Sequence, residues 1–212
     1  MKWVFWISAL LILYAYLGYP ALLYLRSLWK PLAVRRTPAL PPISIVMAVH
    51  NGASVLRAKL DSLSELDYPE ELLEVVVVSD GSSDETNDIL REWQGERRRA
   101  IILPKNEGKA VALNRAVEAT AYEMLIFTDA RQLIDRHAVR YLVENFEDPG
   151  VACVSGELIL SEQSAGASSS GLGLYWEFEK KIRRWRKTPT AASMTCLIRC
   201  RMEGRGRIRS AI

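Results

Sequence analysis

The chain has 212 residues, 49% of them hydrophobic and 25% charged, which excludes wholesale disorder and leaves room for one α/β domain plus an appendage. A formal net charge of +3 hides an asymmetry: from Lys180 onward eleven Lys/Arg stand against one acid, Glu203, giving +10 there and −7 before it. Cys153, Cys196 and Cys200 match no zinc spacing and no even disulfide framework, and fit free thiols in a reducing cytosol.

Residues 3–25 carry no charged side chain and are rich in Leu, Ile, Tyr and Trp. About 20 apolar residues span a bilayer as a helix. Trp3 and Trp6 near one end, with Tyr24 and Trp29 near the other, fit interfacial aromatic belts. A cleaved signal peptide is the competing interpretation, but its apolar core runs about 7–15 residues and ends at a small-residue cleavage site. No such site follows here. The expectation is one N-terminal transmembrane helix in the inner or plasma membrane. Lys2 flanks one end and Arg26, Lys30, Arg35 and Arg36 the other, which places the following domain in the cytoplasm. Residues 1–36 are the anchor and its basic flank. Residues 37–42, with three prolines, form a stiff linker.

Residues 43–50 are nearly all apolar and predict a strand that Asn51-Gly52 ends. Helical spacing follows through Val55, Leu56, Leu60 and Leu63, until Tyr68-Pro69 breaks it. Four consecutive valines, Val75 to Val78, have no polar face and predict a strand covered on both sides. That run stops at Ser79-Asp80-Gly81, and Ser83 or Asp84 is placed to cap a helix over 86–93. A short strand over 100–103, a turn over 104–108 and a helix over 109–119 come next. A strand over 124–127 ends in Thr128-Asp129-Ala130. A helix over 135–146 and a strand over 151–160, interrupted at Gly156, complete the series, and residues 161–173 read as a mobile Ser/Gly loop. The alternation predicts an α/β domain with a doubly wound, mainly parallel sheet.

Two predicted strands therefore end in aspartate, Asp80 and Asp129, at one edge of one sheet, where ligands bind in open α/β folds. An acid there accepts a hydrogen bond from a base or ribose, or binds a hard cation through oxygen. Lys109, just after a glycine at a helix start, is placed to neutralise a diphosphate. Two acids and a lysine converging on a sheet edge describe a nucleotide-diphosphate site. The plainer alternative is helix caps and a surface lysine, which α/β proteins also place there.

The segments 43–51, 67–69, 75–82, 106–114 (Asn-Glu-Gly-Lys-Ala-Val-Ala-Leu-Asn) and 127–131 resemble, in order and spacing, the successive motifs of glycosyltransferase family 2. Val154 to Leu158 and Tyr175-Trp176-Glu177 resemble its membrane-anchored members, so the resemblance covers roughly residues 43–195. It implies the GT-A nucleotide-diphospho-sugar-binding fold and inverting transfer from a nucleotide sugar, UDP-linked by expectation. The acceptor would be a polysaccharide, lipid or other envelope glycan. By the same resemblance, Ala48 and His50 line the base pocket and Asp80 binds the uracil or ribose. Lys109 faces the diphosphate, and Asp129 is the first acid of an Asp-x-Asp-like motif holding Mg2+ or Mn2+. Arg131 stands where many members carry a second Asp or Asn; we expect it to contact phosphate directly.

Past Thr195 the chain departs from the pattern. Family members continue with a segment like Gly-Ala-Leu-Tyr-Ala-Ile-Arg and later supply the aspartate base. Here the sequence reads Cys196-Leu197-Ile198-Arg199-Cys200 and turns Arg/Gly-rich. Residues 43–195 are thus expected to be a partial family domain, incomplete at its C-terminus. Residues 196–212 are expected to be an unmatched tail, out of frame after a shift near Cys196. The catalytic base is unknown and expected beyond Thr195.

The remaining candidates lack supporting patterns. His50 reads as pocket wall, because nothing in the sequence is placed to orient it; His137 reads as a surface residue, and Glu157 either as a group approaching the acceptor side or as a strand-end acid. Trp176, Phe178 and Trp185 among six Lys/Arg suggest a helix at an anionic membrane surface or a solvated helix face. No motif supports nucleic-acid binding. The rival to an enzyme is a non-catalytic chain that keeps only donor-nucleotide or membrane binding. A nucleotidyltransferase would need a triphosphate-binding glycine loop, which is not seen.

Overall fold

The computed structural model describes residues 2–29, 37–148, 151, 153–156 and 196–199. The N-terminal helical segment belongs to one compact unit and the sheet domain to another. In the first, α1 (Lys2–Leu13) continues through a π-helical turn (Tyr14–Gly18) into α2 (Tyr19–Trp29). Pro20 explains the interruption. It lacks an N–H, so the ladder shifts register ahead of it, with the Tyr19 N–H bonded to the Tyr14 carbonyl. Among the described residues, Lys2–Leu25 is the one helix long and apolar enough to cross a membrane.

The second unit is a six-stranded sheet in the order β3-β2-β1-β4-β6-β5. β1 (Ile43–Val49), β2 (Leu73–Asp80), β3 (Arg98–Leu103) and β4 (Met124–Phe127) are parallel. β6 (Cys196–Arg199) lies antiparallel between β4 and β5 (Cys153–Ser155). The connecting helices are α3 (Ala53–Ser64), α4 (Thr86–Trp93), α5 (Lys109–Glu118) and α6 (Ala138–Val143).

The strands alternate between two cores. Ile43, Ile45, Met47 and Val49 of β1, with Val75 and Val77 of β2, pack against α3, α4 and α6. Val46, Val76 and Val78 face the other way, onto Ala112 and Ala116 of α5. This is why the four valines need no polar position: helices cover both faces of β2. Small residues on the buried stripe of α5 let that helix lie close to the sheet.

Three predicted elements differ. β3 begins at Arg98 rather than at residue 100, because its first residues lie exposed at the sheet edge and hydrophobicity does not mark them. The helix expected over 135–146 is shorter, since a turn leads into α6 and a 3-10 turn (Glu144–Glu147) follows it. The third is Cys196–Arg199, assigned from sequence to an unmatched tail, which forms β6 between β4 and β5. The expectations for residues 161–173, Glu157 and the basic segment around Trp176 lie outside the described residues.

Candidate functional site: the carboxyl edge of the parallel strands

The parallel strands β2, β1 and β4 deliver Asp80, His50 and Asp129 side by side at one sheet edge. Ala48, half-buried, stands opposite Val78 near the end of β1. His50 lies just past that strand and is exposed. Its Nδ1 is 2.7 Å from the Asp80 carbonyl oxygen. A carbonyl only accepts, so Nδ1 carries the proton and Nε2 is left as acceptor for Asn51 Nδ2 at 3.3 Å. The sequence suggested no group to orient this ring; the Asp80 backbone does so.

Asp80 is 3% exposed, and both its carboxylate oxygens are engaged. Oδ1 accepts the Glu107 N–H at 2.7 Å and Oδ2 the Gly108 N–H at 3.0 Å. The next residue, Gly81, has φ +63°, and a Cβ there would lie 2.3 Å from the Asn106 nitrogen and 2.4 Å from the Lys105 carbonyl carbon. The loop that opens α5 is therefore clamped on β2 by a carboxylate and by close backbone approach. The resemblance gave Asp80 to the base or ribose of a donor. In the structure its side chain bonds the loop that starts α5.

That loop places Lys109 at the first position of α5, where Nζ lies 3.4 Å from Asp129 Oδ2. Asp80 bonds the loop and Asp129 the lysine that the loop leads into, so one loop-helix junction connects the two. Arg131 is exposed two residues beyond Asp129.

A second junction supports the first. Asp84 is exposed and serves two helices: Oδ1 accepts the Thr86 N–H at 3.1 Å and Oδ2 the Ala53 N–H at 3.0 Å. The little burial it has pushes its pKa up, but the bonds from the Thr86 side chain and from the Ala53 and Thr86 amides outweigh that and hold it below the ordinary carboxylate value. Asn51, in the left-handed region at φ 48°, accepts the Ser83 N–H at 2.8 Å. Asn tolerates that conformation because its short polar side chain bonds locally.

Sequence reasoning missed Lys59. It is completely buried on the inward stripe of α3 with Leu56, Leu60 and Leu63. Nζ donates to Thr128 Oγ1 at 2.8 Å and to the Gln132 carbonyl. Burial pulls its pKa down to about 8, while the charge of Asp129 acts in the opposite direction. The available signal was a lysine standing three residues after Leu56 inside an otherwise apolar stripe.

Among the described residues no three His, Cys, Asp or Glu side chains cluster as a self-sufficient metal site. One carboxylate, Asp129, flanked by cationic side chains, suits a different case: a Mg2+-type ion that takes one or two carboxylates and completes its shell with phosphate oxygens and water.

The family model for glycosyl transferase family 2 matches residues 44–205. The chain belongs to that family. A poly-beta-1,6-N-acetyl-D-glucosamine synthase of Staphylococcus epidermidis is 33% identical over 125 residues, 58% of this chain and 30% of that protein. The synthase of the same name from Staphylococcus aureus strain COL is 29% identical over the same length. This family 2 chain thus spans about 30% of the length of the curated relatives it matches. A mannosyltransferase from Pyrobaculum calidifontis, solved in complex with GDP-Man and Mn2+, superposes with a TM-score of 0.71 at 27% identity. That match covers 90% of this chain and 55% of the other. The mainly parallel sheet expected for the family is the one observed, with antiparallel β6 inserted near one edge.

Proposed function

We propose that this family 2 chain carries the donor-binding part of a membrane-anchored glycosyltransferase. It moves a sugar from a nucleotide-diphospho-sugar, UDP-linked in the first instance, to a glycan or lipid acceptor. The observation that carries this is the junction of β2, β4 and α5, where the loop clamped by Asp80 sets Lys109 beside Asp129.

Each residue has a defined task. Ala48 and the oriented ring of His50 wall the base pocket. Asp80 holds the loop so that the free N–H groups and positive dipole end of α5 face the diphosphate, with Lys109 adding its charge. Asp129 holds a divalent cation carried in with the donor, and Arg131 reaches a phosphate oxygen. The cation, when bound, acts as a Lewis acid that stabilises charge on the departing nucleotide diphosphate. Attack by the acceptor hydroxyl at the sugar carbon, with inversion, needs a base to take its proton. We assign that base to no described residue.

Support for anchoring comes from the apolar span Lys2–Leu25 and the four basic residues that follow it, an arrangement that keeps the domain on the cytoplasmic side. The related synthases are named for an N-acetylglucosamine polymer and the solved neighbour for mannose, so UDP-GlcNAc and GDP-Man are the donors to try first. The full chain in detergent with Mn2+ should release UDP or GDP from one of them. Nucleotide binding without turnover would favour the non-catalytic rival, and no binding to either donor would remove the proposal. Arg131→Ala should weaken donor binding about tenfold or more, the worth of a charge-assisted bond; unchanged affinity would withdraw the phosphate role of Arg131.

A further inference from the structure

Lys59 is used by nothing proposed so far, yet burial without a task is costly. An ammonium removed from water is tolerated only when hydrogen-bonded, and leucine or methionine would fill the same stripe of α3 without that cost. Two acceptors face it. Thr128 Oγ1 and the Gln132 carbonyl both receive bonds from Nζ, and they stand on either side of the three residues Asp129, Ala130 and Arg131.

The turn between them also makes backbone bonds of its own. Thr128 N–H closes the β1–β4 ladder on the Val46 carbonyl at 3.2 Å. Across the turn, the Gln132 N–H reaches the Asp129 carbonyl at 3.4 Å, a long bond. Ala130 is buried and seats the centre of the turn in the core, while Asp129 is only half-buried and Arg131 is exposed. Lys59 therefore joins the entry and the exit of the segment that presents both ligand-facing side chains. It reaches them from α3, a different helix from the one that carries Lys109.

We propose that Lys59 is a positioning residue for the donor-bound cation: by bridging Thr128 and Gln132 from beneath, it fixes the Asp129–Arg131 turn in the conformation that receives metal and diphosphate. This rests on the donor-site reading of Asp129. The three donors of an ammonium allow one group to serve both ends of the turn, which a neutral residue of the same length could not do. Outer partners that orient a metal ligand have the kind of effect expected here: the metal-dependent part of binding suffers most.

The test is calorimetry of the full chain in detergent with UDP as probe, with Mn2+ and with EDTA, comparing the unsubstituted chain, Lys59→Met and Thr128→Val. Amide hydrogen exchange over residues 129–132 serves as a second readout. The unsubstituted chain should bind UDP more tightly with Mn2+. Lys59→Met should lose that gain by roughly 10- to 100-fold, the range for outer partners of metal ligands, while its affinity in EDTA falls less, by the part that Arg131 supplies. Exchange should speed up at 129–132 and not in β1 or α3. Thr128→Val removes one acceptor and leaves Lys59 in place, so it should lose part of the gain and decides the matter if Lys59→Met does not fold. If the variants keep the Mn2+ gain, or lose affinity equally with Mn2+ and with EDTA, the proposal is overturned and Lys59 is core filling. An unsubstituted chain without any Mn2+ gain would overturn the donor-site reading, and this proposal with it.

Discussion

Gly81 is where the site is most exposed to a single methyl group. Its φ of +63° disfavours any L side chain, and the Lys105–Asn106 backbone occupies the space a Cβ would need. Gly81→Ala should cost at least the roughly 1–3 kcal/mol of left-handed strain, plus the displacement of the loop. A thermal melt checks the first, and loss of nucleotide binding in protein that still folds checks the second. Lys59 provides a pH signature of its own. Its folded pKa, about 8, lies below its ordinary 10.5, so between these values the unfolded chain holds a proton that the folded chain has released. Stability contributed through this group therefore rises with pH across that window and is flat below it. The difference in unfolding free energy between the unsubstituted chain and Lys59→Met should change from pH 8 to pH 10.5. A constant difference would show that the ammonium is not held as described.

Among the elements, the clamped loop and α5 carry the proposed chemistry, and Asp80 is the hinge of that arrangement. Asp80→Asn keeps the shape but turns one acceptor into a donor facing a backbone N–H. It should cost about 1–3 kcal/mol for an unsatisfied buried group and weaken UDP binding with and without Mn2+. This contrasts with Lys59→Met, whose effect should fall mainly on the metal-dependent part. Much of this edge was legible in the sequence. Val75 to Val78 announced a strand covered on both faces, and Thr86–Trp93 and Met124–Phe127 fall where periodicity placed them. The positions of Asp80, Lys109 and Asp129 followed from those strands. What they bond to did not, because a carboxylate bonded to backbone amides 27 and 28 residues away leaves no local pattern. Lys59 was hidden for a related reason: its partners lie 69 and 73 residues on. β3 was misjudged in extent because its first residues lie exposed at the sheet edge and lack a two-sided apolar run.

For the whole molecule, composition foretold an apolar N-terminal span and an α/β domain, and the ordered motifs foretold the family. Strand order was beyond it, since a parallel sheet of alternating strands and helices permits several windings, and the insertion of β6 between β4 and β5 joins segments far apart in the chain. The account as a whole depends on one rim: Asp80 holding the α5 loop, with Asp129 opposite, around a nucleotide diphosphate and its cation. Titrating the full chain with UDP in the presence of Mn2+, beside Asp129→Asn, tests that rim most directly. The account predicts binding that needs the metal and that Asp129→Asn reduces to the level seen in EDTA. Equal UDP affinity in the two chains, with metal and without, would contradict it.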